Sequence, residues 1–250
     1  MMNPAEFANI AKAENDFWWY RGQRRIMFGL LDRVTAGRKF RRVLEAGAGT
    51  GHFAKELEQR YGWPMYPLDL GWEGLEYAQS LGVGRLAQGD IQTLPYRDGV
   101  FDAVVSMDVI VHLPRGEESK PLREFHRVMA PGGFLALRAS ALDILRSHHS
   151  EFAMERQRFT RGRLMRAAEE AGFRVLRCTY ANSLLLPVAV LKFRVIEPLF
   201  GGEPSSGVAP VAPWLDRLLY VPLAAESKLI PAGVDLPLGQ SLILLAERGV

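Results

Sequence analysis

A run of glycines and three acidic residues carry the densest chemical signal in this sequence. Val43-Leu44-Glu45-Ala46-Gly47-Ala48-Gly49-Thr50-Gly51 reads as a short apolar strand entering a glycine-rich turn that opens a helix. Glycines in such a turn reach backbone conformations closed to other residues and let amide groups approach a ligand closely. A dinucleotide fingerprint, GxGxxG, would need its third glycine at position 52, which is His52. The spacing is instead Glu-x-Gly-x-Gly-x-Gly, with Glu45 ahead of the first glycine. A carboxylate there would repel a pyrophosphate and suit a cationic ligand. Asp69 closes the next strand candidate, about 20 residues on, where an acid in a doubly wound fold can accept from both hydroxyls of a ribose. Asp90-Ile91 follows the third strand candidate, so that the acid could take the exocyclic amine of a purine and the isoleucine cover its ring.

The elements that must position these residues alternate along the first half of the chain. Arg42–Ala46, Met65–Asp69, Arg85–Gln88, Val100–Met107 and Phe134–Ala139 read as strands. Between them, His52–Arg60 and Trp72–Leu81 read as helices, and Glu117–Met129 as a helix stopped by Pro131-Gly132-Gly133. Val100–Met107 is apolar and β-branched, as in a strand buried on both faces. Strands alternating with helices imply a parallel sheet wrapped on both sides. After Ser140 the rhythm changes. Ala141–Phe159 reads as a loop or helical insertion, and Thr160 as the N-cap of a helix ending at Gly172. Phe173–Tyr180 and Ser241–Glu247 are the last strand candidates. The Pro-, Gly- and Leu-rich stretch Ala181–Leu238 between them is too long for a plain connection and should hold helices of its own.

Composition bounds the class. The chain has 250 residues, 48% of them hydrophobic and 24% charged, which excludes a disordered or fibrous protein. Lone Cys178 cannot close an intramolecular disulfide or supply a multi-cysteine zinc site. No compact Asp/Glu/His cluster suggests a metal, and none is expected. The opening segment lacks the basic and apolar regions of a signal peptide, and Ser183–Phe200 is broken by Pro187, Lys192, Arg194, Glu197 and Pro198. A cytoplasmic protein without a transmembrane segment is expected. The formal charge is only +3, with basic clusters at Arg21, Arg24 and Arg25 and at Arg38, Lys39, Arg41 and Arg42. A nucleic-acid footprint is denser than this, so these clusters read as solvated helix ends and anchors for small anions.

Residues 40–140 resemble a class I S-adenosylmethionine (SAM)-dependent methyltransferase of the broad methyltransferase-11 type. VLEAGAGTGHFA resembles the first motif of that family, YPLDL the second, and GDIQTLPYRDGVFDAVVSMDVIVHL the third and fourth; LREFHRVMAPGGFLAL resembles the helix, turn and strand that follow. The resemblance implies an α/β, Rossmann-like, doubly wound seven-stranded sheet with its last strand antiparallel, here with a helical insertion ahead of that strand. One domain, 1–250, would then comprise an N-terminal helical cap (1–39), the SAM-binding core (40–140) and acceptor-side insertions (141–160 and 181–238). The cofactor would be SAM and the product S-adenosylhomocysteine. Gly47, Gly49 and Gly51 would approach its methionine part, Asp69 the ribose, and Asp90 with Ile91 the adenine, with Glu45, Leu70 and Met107 also at the cofactor site.

SAM's sulfonium already activates the methyl group, so such a protein must align an acceptor, exclude water and, for a hydroxyl acceptor, supply a base. His112 follows the fourth strand, at the carboxyl edge where ligands bind. His149 lies in the segment after the fifth strand, in a stretch resembling a bacterial subfamily of uncertain substrate. That subfamily carries a His-Asp pair here; this chain has Ser150, with Glu151 next to it as the substitute carboxylate. Phe17-Trp18-Trp19-Tyr20 cannot all share one helical face. Tyr20 could cover the sulfonium and Arg25 pair with the SAM carboxylate, Trp18 and Trp19 serving as packing.

The reading that follows is in-line methyl transfer to a hydroxyl or amine of a small, fairly apolar metabolite, from secondary metabolism or an envelope glycan or lipid precursor. The alternatives are an RNA methyltransferase, which lacks support from any appended RNA-binding module, and a non-catalytic SAM-binding protein. Ser183–Phe200 and Trp214–Ile230 leave a peripheral membrane contact, a wall of the acceptor pocket and a homodimer contact open.

Overall fold

The computed structural model describes residues 2–201, 203–209 and 211–249. Two helices, α1 (Pro4–Ala13) and α2 (Trp18–Val34), precede the sheet. Then β1 (Val43–Ala46), α3 (His52–Tyr61), β2 (Met65–Asp69), α4 (Trp72–Ser80), β3 (Ala87–Gln88), β4 (Phe101–Met107), α5 (Ser119–Val128) and β5 (Met129–Ser140) follow in turn. Next come α6 (His148–Phe152), α7 (Arg161–Glu170) and β6 (Phe173–Ala181). The long connection to β7 (Ser241–Arg248) carries α8 (Leu186–Leu191), a π-helical turn (Lys192–Ile196), α9 (Glu197–Phe200) and α10 (Pro213–Leu229). The 181–238 stretch does hold its own helices.

The strands of the described residues form one seven-stranded sheet in the order β3-β2-β1-β4-β5-β7-β6. β1 to β5 pair in parallel, and β7 runs antiparallel to both β5 and β6. This is the doubly wound, seven-stranded α/β architecture with an antiparallel last strand. Successive strand residues point to opposite faces, and both faces are apolar because both are covered. Leu44, Val104, Leu135 and Leu244 pack with Phe125 of α5 and Leu164 of α7. Val43, Val105, Ala136 and Leu245 pack with Ile26 and Leu30 of α2 and Leu223 of α10.

The order of the strands reverses between β1 and β4, and a crevice at the carboxyl ends follows from that reversal. Gly51 shows why the turn after β1 must be small: its φ is +72°, and a Cβ there would lie 2.5 Å from the Ala78 Cβ of α4. Thr160 does cap α7, its hydroxyl accepting from the Arg163 N–H.

Pro131-Gly132-Gly133 departs from its expected role. It does not stop a helix ahead of a strand; it lies inside β5, which begins at Met129. Met129 pairs with Phe101 and Phe134 with Ala103, so the extra residues form a bulge, with Gly132 at φ +72°. β3 is also shorter than expected, because Arg85 turns at φ +55° and its guanidinium reaches back to the Met65 carbonyl.

Candidate active site

A cavity of about 680 Å³ is lined by the carboxyl ends of β1, β2, β4 and β5, by α1 and α2, and by α6 and parts of the 181–238 connection. Its floor is the glycine turn. Gly47, Gly49 and Gly51 all have positive φ. Gly47 and Gly49 line the cavity, and a side chain on Gly47 would collide with Val109. Gly51 does not line it; it opens α3 and packs on α4.

Of the carboxyl groups that line this space, three have their acidity shifted by burial: Glu45, Asp69 and Glu14. Glu45 is buried in β1 with Oε2 unpartnered. Burial pushes its carboxyl well above the usual range and the Asp69 charge adds to that, while a backbone hydrogen bond from Ala54 works the other way. Asp69 closes β2 and is clamped at both oxygens: the Gly49 N–H donates to Oδ2 at 2.7 Å and the Gly71 N–H to Oδ1 at 2.8 Å. Burial raises this carboxyl too, against those same hydrogen bonds. Glu14, at the end of α1, accepts from the Thr50 hydroxyl at 2.5 Å. Buried acids facing one cavity are the environment a cationic ligand relieves.

Leu70, Asp90, Ile91 and Met107 also line the cavity. Leu70 is exposed and Ile91 buried. Asp90 is oriented by the Gln92 N–H, which donates to its Oδ1 at 2.9 Å.

The roof comes from α1 and α2. Phe7 packs into a patch without side chains: a Cβ on Gly71 or Gly74 would lie 2.8 or 2.7 Å from its ring. Phe17, Trp18, Trp19 and Tyr20 all reach the cavity wall, so Trp18 and Trp19 are not packing alone. Arg25 does not reach it. It is exposed and donates to the Tyr220 hydroxyl at 3.0 Å. The physical reason is helical phase: Tyr20 and the residue four positions on share a face, and that residue is Arg24. Arg24 lines the cavity, pairs with Glu56 at 2.7 Å and donates to the Glu14 carbonyl.

The two histidines are held in opposite tautomers. His112 donates from Nδ1 to the Met154 carbonyl at 3.2 Å, since a carbonyl can only accept. Burial lowers its pKa, so the ring is neutral with its lone pair on Nε2. His149 instead accepts the Gly207 N–H at Nδ1, 2.9 Å away. Burial lowers its pKa as well, which places the ring proton on Nε2. A free base is therefore offered by His112 alone of the two; His149, expected as a second base, is set up as a donor. Its carboxylate neighbour is Glu6 of α1, with Oε1 3.7 Å from Nδ1, and not Glu151, which is exposed outside the cavity. Glu6 lies 143 positions from His149, and nothing local to the sequence marks the pairing. Arg138 is a further residue the sequence reading missed, although an arginine in the apolar run FLALRAS is visible there. It is buried at the edge of β5, paired with Asp108, stacked 4.7 Å from the Trp19 ring centroid, and its Nε has no partner.

Glu14 makes the roof pH-sensitive. Burial raises its pKa from 4.5 to about 7, against the Thr50 hydrogen bond and the Arg24 charge. A carboxyl whose folded pKa is raised contributes stability that is full below the unfolded value and lost as pH climbs through the folded one. Glu14→Gln keeps the acceptor for Thr50 but cannot ionise. In thermal denaturation without ligand, this variant should gain on the wild type between pH 4.5 and about 7 and level off above. A constant difference across that range would refute the linkage.

Among the described residues, no group of three or more His, Cys, Asp or Glu side chains could hold a metal ion. No helix among them is long and apolar enough to cross a membrane.

Comparison with known proteins places this geometry in context. Residues 44–137 match the family described as a methyltransferase domain. Over 98 residues the chain is 38% identical to the malonyl-[acyl-carrier protein] O-methyltransferase of Pectobacterium atrosepticum, covering 38% of this chain and 36% of that one. Ajmaline N-methyltransferase of Rauvolfia serpentina is 26% identical over 223 residues, covering 79% of this chain and 74% of that one. The chain spans about a third of the length of the first curated relatives it matches. Among solved structures, the complex between the Haloferax volcanii Trm112 methyltransferase activator and the putative methyltransferase contains a similar fold. That likeness has a TM-score of 0.63 at 18% identity and covers 99% of this chain and 94% of that one.

Proposed function

We propose that this chain, a member of the class I SAM-dependent methyltransferases by fold and by its matched domain, moves the methyl group of SAM to a hydroxyl or amine of a small, fairly apolar molecule. The observation that carries the reading is Glu45. Its buried, unpartnered Oε2 shares a cavity with Asp69 and Glu14, and that set suits a ligand bearing both a sulfonium and an ammonium charge.

The residues present fit such a group. Glu45 and the Gly47–Gly49 turn would hold its aminoacyl part, with Arg24, which lines the same cavity, for its carboxylate. Asp69 would accept from the ribose hydroxyls, and Asp90 with Ile91 would receive the adenine. Bound SAM supplies an electrophilic methyl group, and a general base is needed only if the acceptor must lose a proton. The cap of α1 and α2 excludes water. Phe17 to Tyr20 and α6 form the acceptor side, with Nε2–H of His149 available to orient an acceptor oxygen. His112 takes the proton of a hydroxyl acceptor at Nε2, its ring aligned by the Met154 carbonyl.

Melting temperatures with SAM, S-adenosylhomocysteine and NAD test the cofactor. A rise with the first two only is expected, since a ligand at about 100 times its dissociation constant adds roughly 2.7 kcal/mol. No rise with either adenosyl ligand would overturn the reading. His112→Gln should lower turnover of a hydroxyl acceptor by about 10²–10⁴-fold while S-adenosylhomocysteine affinity holds. Wild-type turnover in this variant would remove His112 from the chemistry.

A further inference from the structure

The segment Leu184–Phe200 is apolar on both of its sides. Ala189 and Phe193 turn inward, and Lys192, Phe193 and Glu197 line the mouth of the cavity. The outward residues Leu184, Val188, Leu191, Val195 and Leu199 recur in steps of four, three, four and four along the turn before α8, α8 itself, the π-helical turn and α9. All are exposed, Leu199 at 74%, and Phe200 beyond them is 84% exposed. α10 carries a second stripe, Trp214, Leu218 and Val221, with Trp214 68% exposed. A helix normally turns a polar face to water. This one does not.

The charges around the stripes identify what covers them. Lys192, Arg194 and Arg217 are exposed and have no acidic partner among the described residues. The acids nearby are occupied: Glu197 accepts the His148 N–H, and Asp216 is held by Arg21 and the Trp18 N–H. Glu203 alone on this side is an exposed acid without a partner among the described residues. Exposed leucines and aromatic residues flanked by free cations fit an interface of acyl chains and anionic headgroups. A second copy of the chain would offer those cations no unpaired acid on this side except Glu203. We infer that the Leu184–Phe200 face seats on an anionic lipid surface, so that the cavity mouth beside Lys192 and Phe193 receives its acceptor from the lipid side. The acceptor's origin rests on the methyl-transfer reading; the docking does not.

The test is sedimentation of the full chain with vesicles, using wild type and the double variant L199E/F200E. Both sites are solvent-exposed, so melting temperature and S-adenosylhomocysteine binding should match wild type and report folding and the cofactor site separately. Wild type should pellet with vesicles of phosphatidylcholine and phosphatidylglycerol in equal parts and not with phosphatidylcholine alone. The variant should bind about tenfold more weakly or less. Equal binding to both vesicles, or to neither, would overturn the inference. So would a dimer in light scattering that the variant disperses without any vesicle binding.

Discussion

Asp69→Ala is expected to lower the affinity for S-adenosylhomocysteine by about 10²–10⁴-fold. The carboxylate of Asp69 is fixed before any ligand arrives, because Gly49 and Gly71 each donate a backbone N–H to one of its oxygens. Each oxygen keeps a lone pair for a ribose hydroxyl. Hydrogen bonds to a charged group contribute about 1.5–3 kcal/mol each, so two of them amount to roughly 3–6 kcal/mol. Alanine also releases the Gly49 N–H and with it the shape of the turn. Asp69→Asn separates the two effects: it keeps an acceptor for one backbone amide and loses the charge, and its affinity should fall between wild type and alanine. Titration calorimetry reads all three proteins. An alanine variant within about threefold of wild type would remove Asp69 from the cofactor site.

The largest loss of stability should come from a residue with no part in the chemistry. Glu226 of α10 is fully buried, and its carboxylate accepts the N–H groups of Asn182, Ser183 and Leu184 at 2.6, 2.7 and 2.8 Å. Burial raises its pKa while these three donors oppose the rise. Glu226→Ala leaves three donors facing a void. At about 1–3 kcal/mol for each unsatisfied group, a loss of roughly 3–9 kcal/mol follows. For a chain of this length that is a fall on the order of 10 °C in melting temperature. Glu226→Gln, which retains one acceptor oxygen, should lose less. A shift of only about 2 °C in the alanine variant would show that water or a relaxed backbone satisfies the three amides.

What the sequence made legible was local. The strand into Gly47-Ala48-Gly49-Thr50-Gly51 and the acid ending β2 could be read because neighbours in sequence define them. The doubly buried sheet could be read because Val100–Met107 is apolar at every phase except Asp102 and Ser106. What failed needed packing between distant elements. Glu6 meets His149, and Glu14 meets Thr50, only because α1 lies over the sheet edge. The preference for Arg25 over Arg24 was avoidable, since placing Tyr20 in the cavity already selects the residue one turn later. The reading of Pro131-Gly132-Gly133 as a stop followed from a real ambiguity: glycine at positive φ serves a turn and a bulge equally well.

Phe7 resting on Gly71 and Gly74 has a kinetic meaning. A nucleoside bound in the floor of the cavity would lie beneath α1 and would need that helix to lift before it could leave. The lifetime of such a complex would then depend on how often Pro4–Ala13 detaches as well as on the ligand's own contacts. Because Glu14 ties the same helix to the turn beneath it, one carboxyl acts as the clasp of the enclosure, and the proton concentration sets how firmly it is fastened.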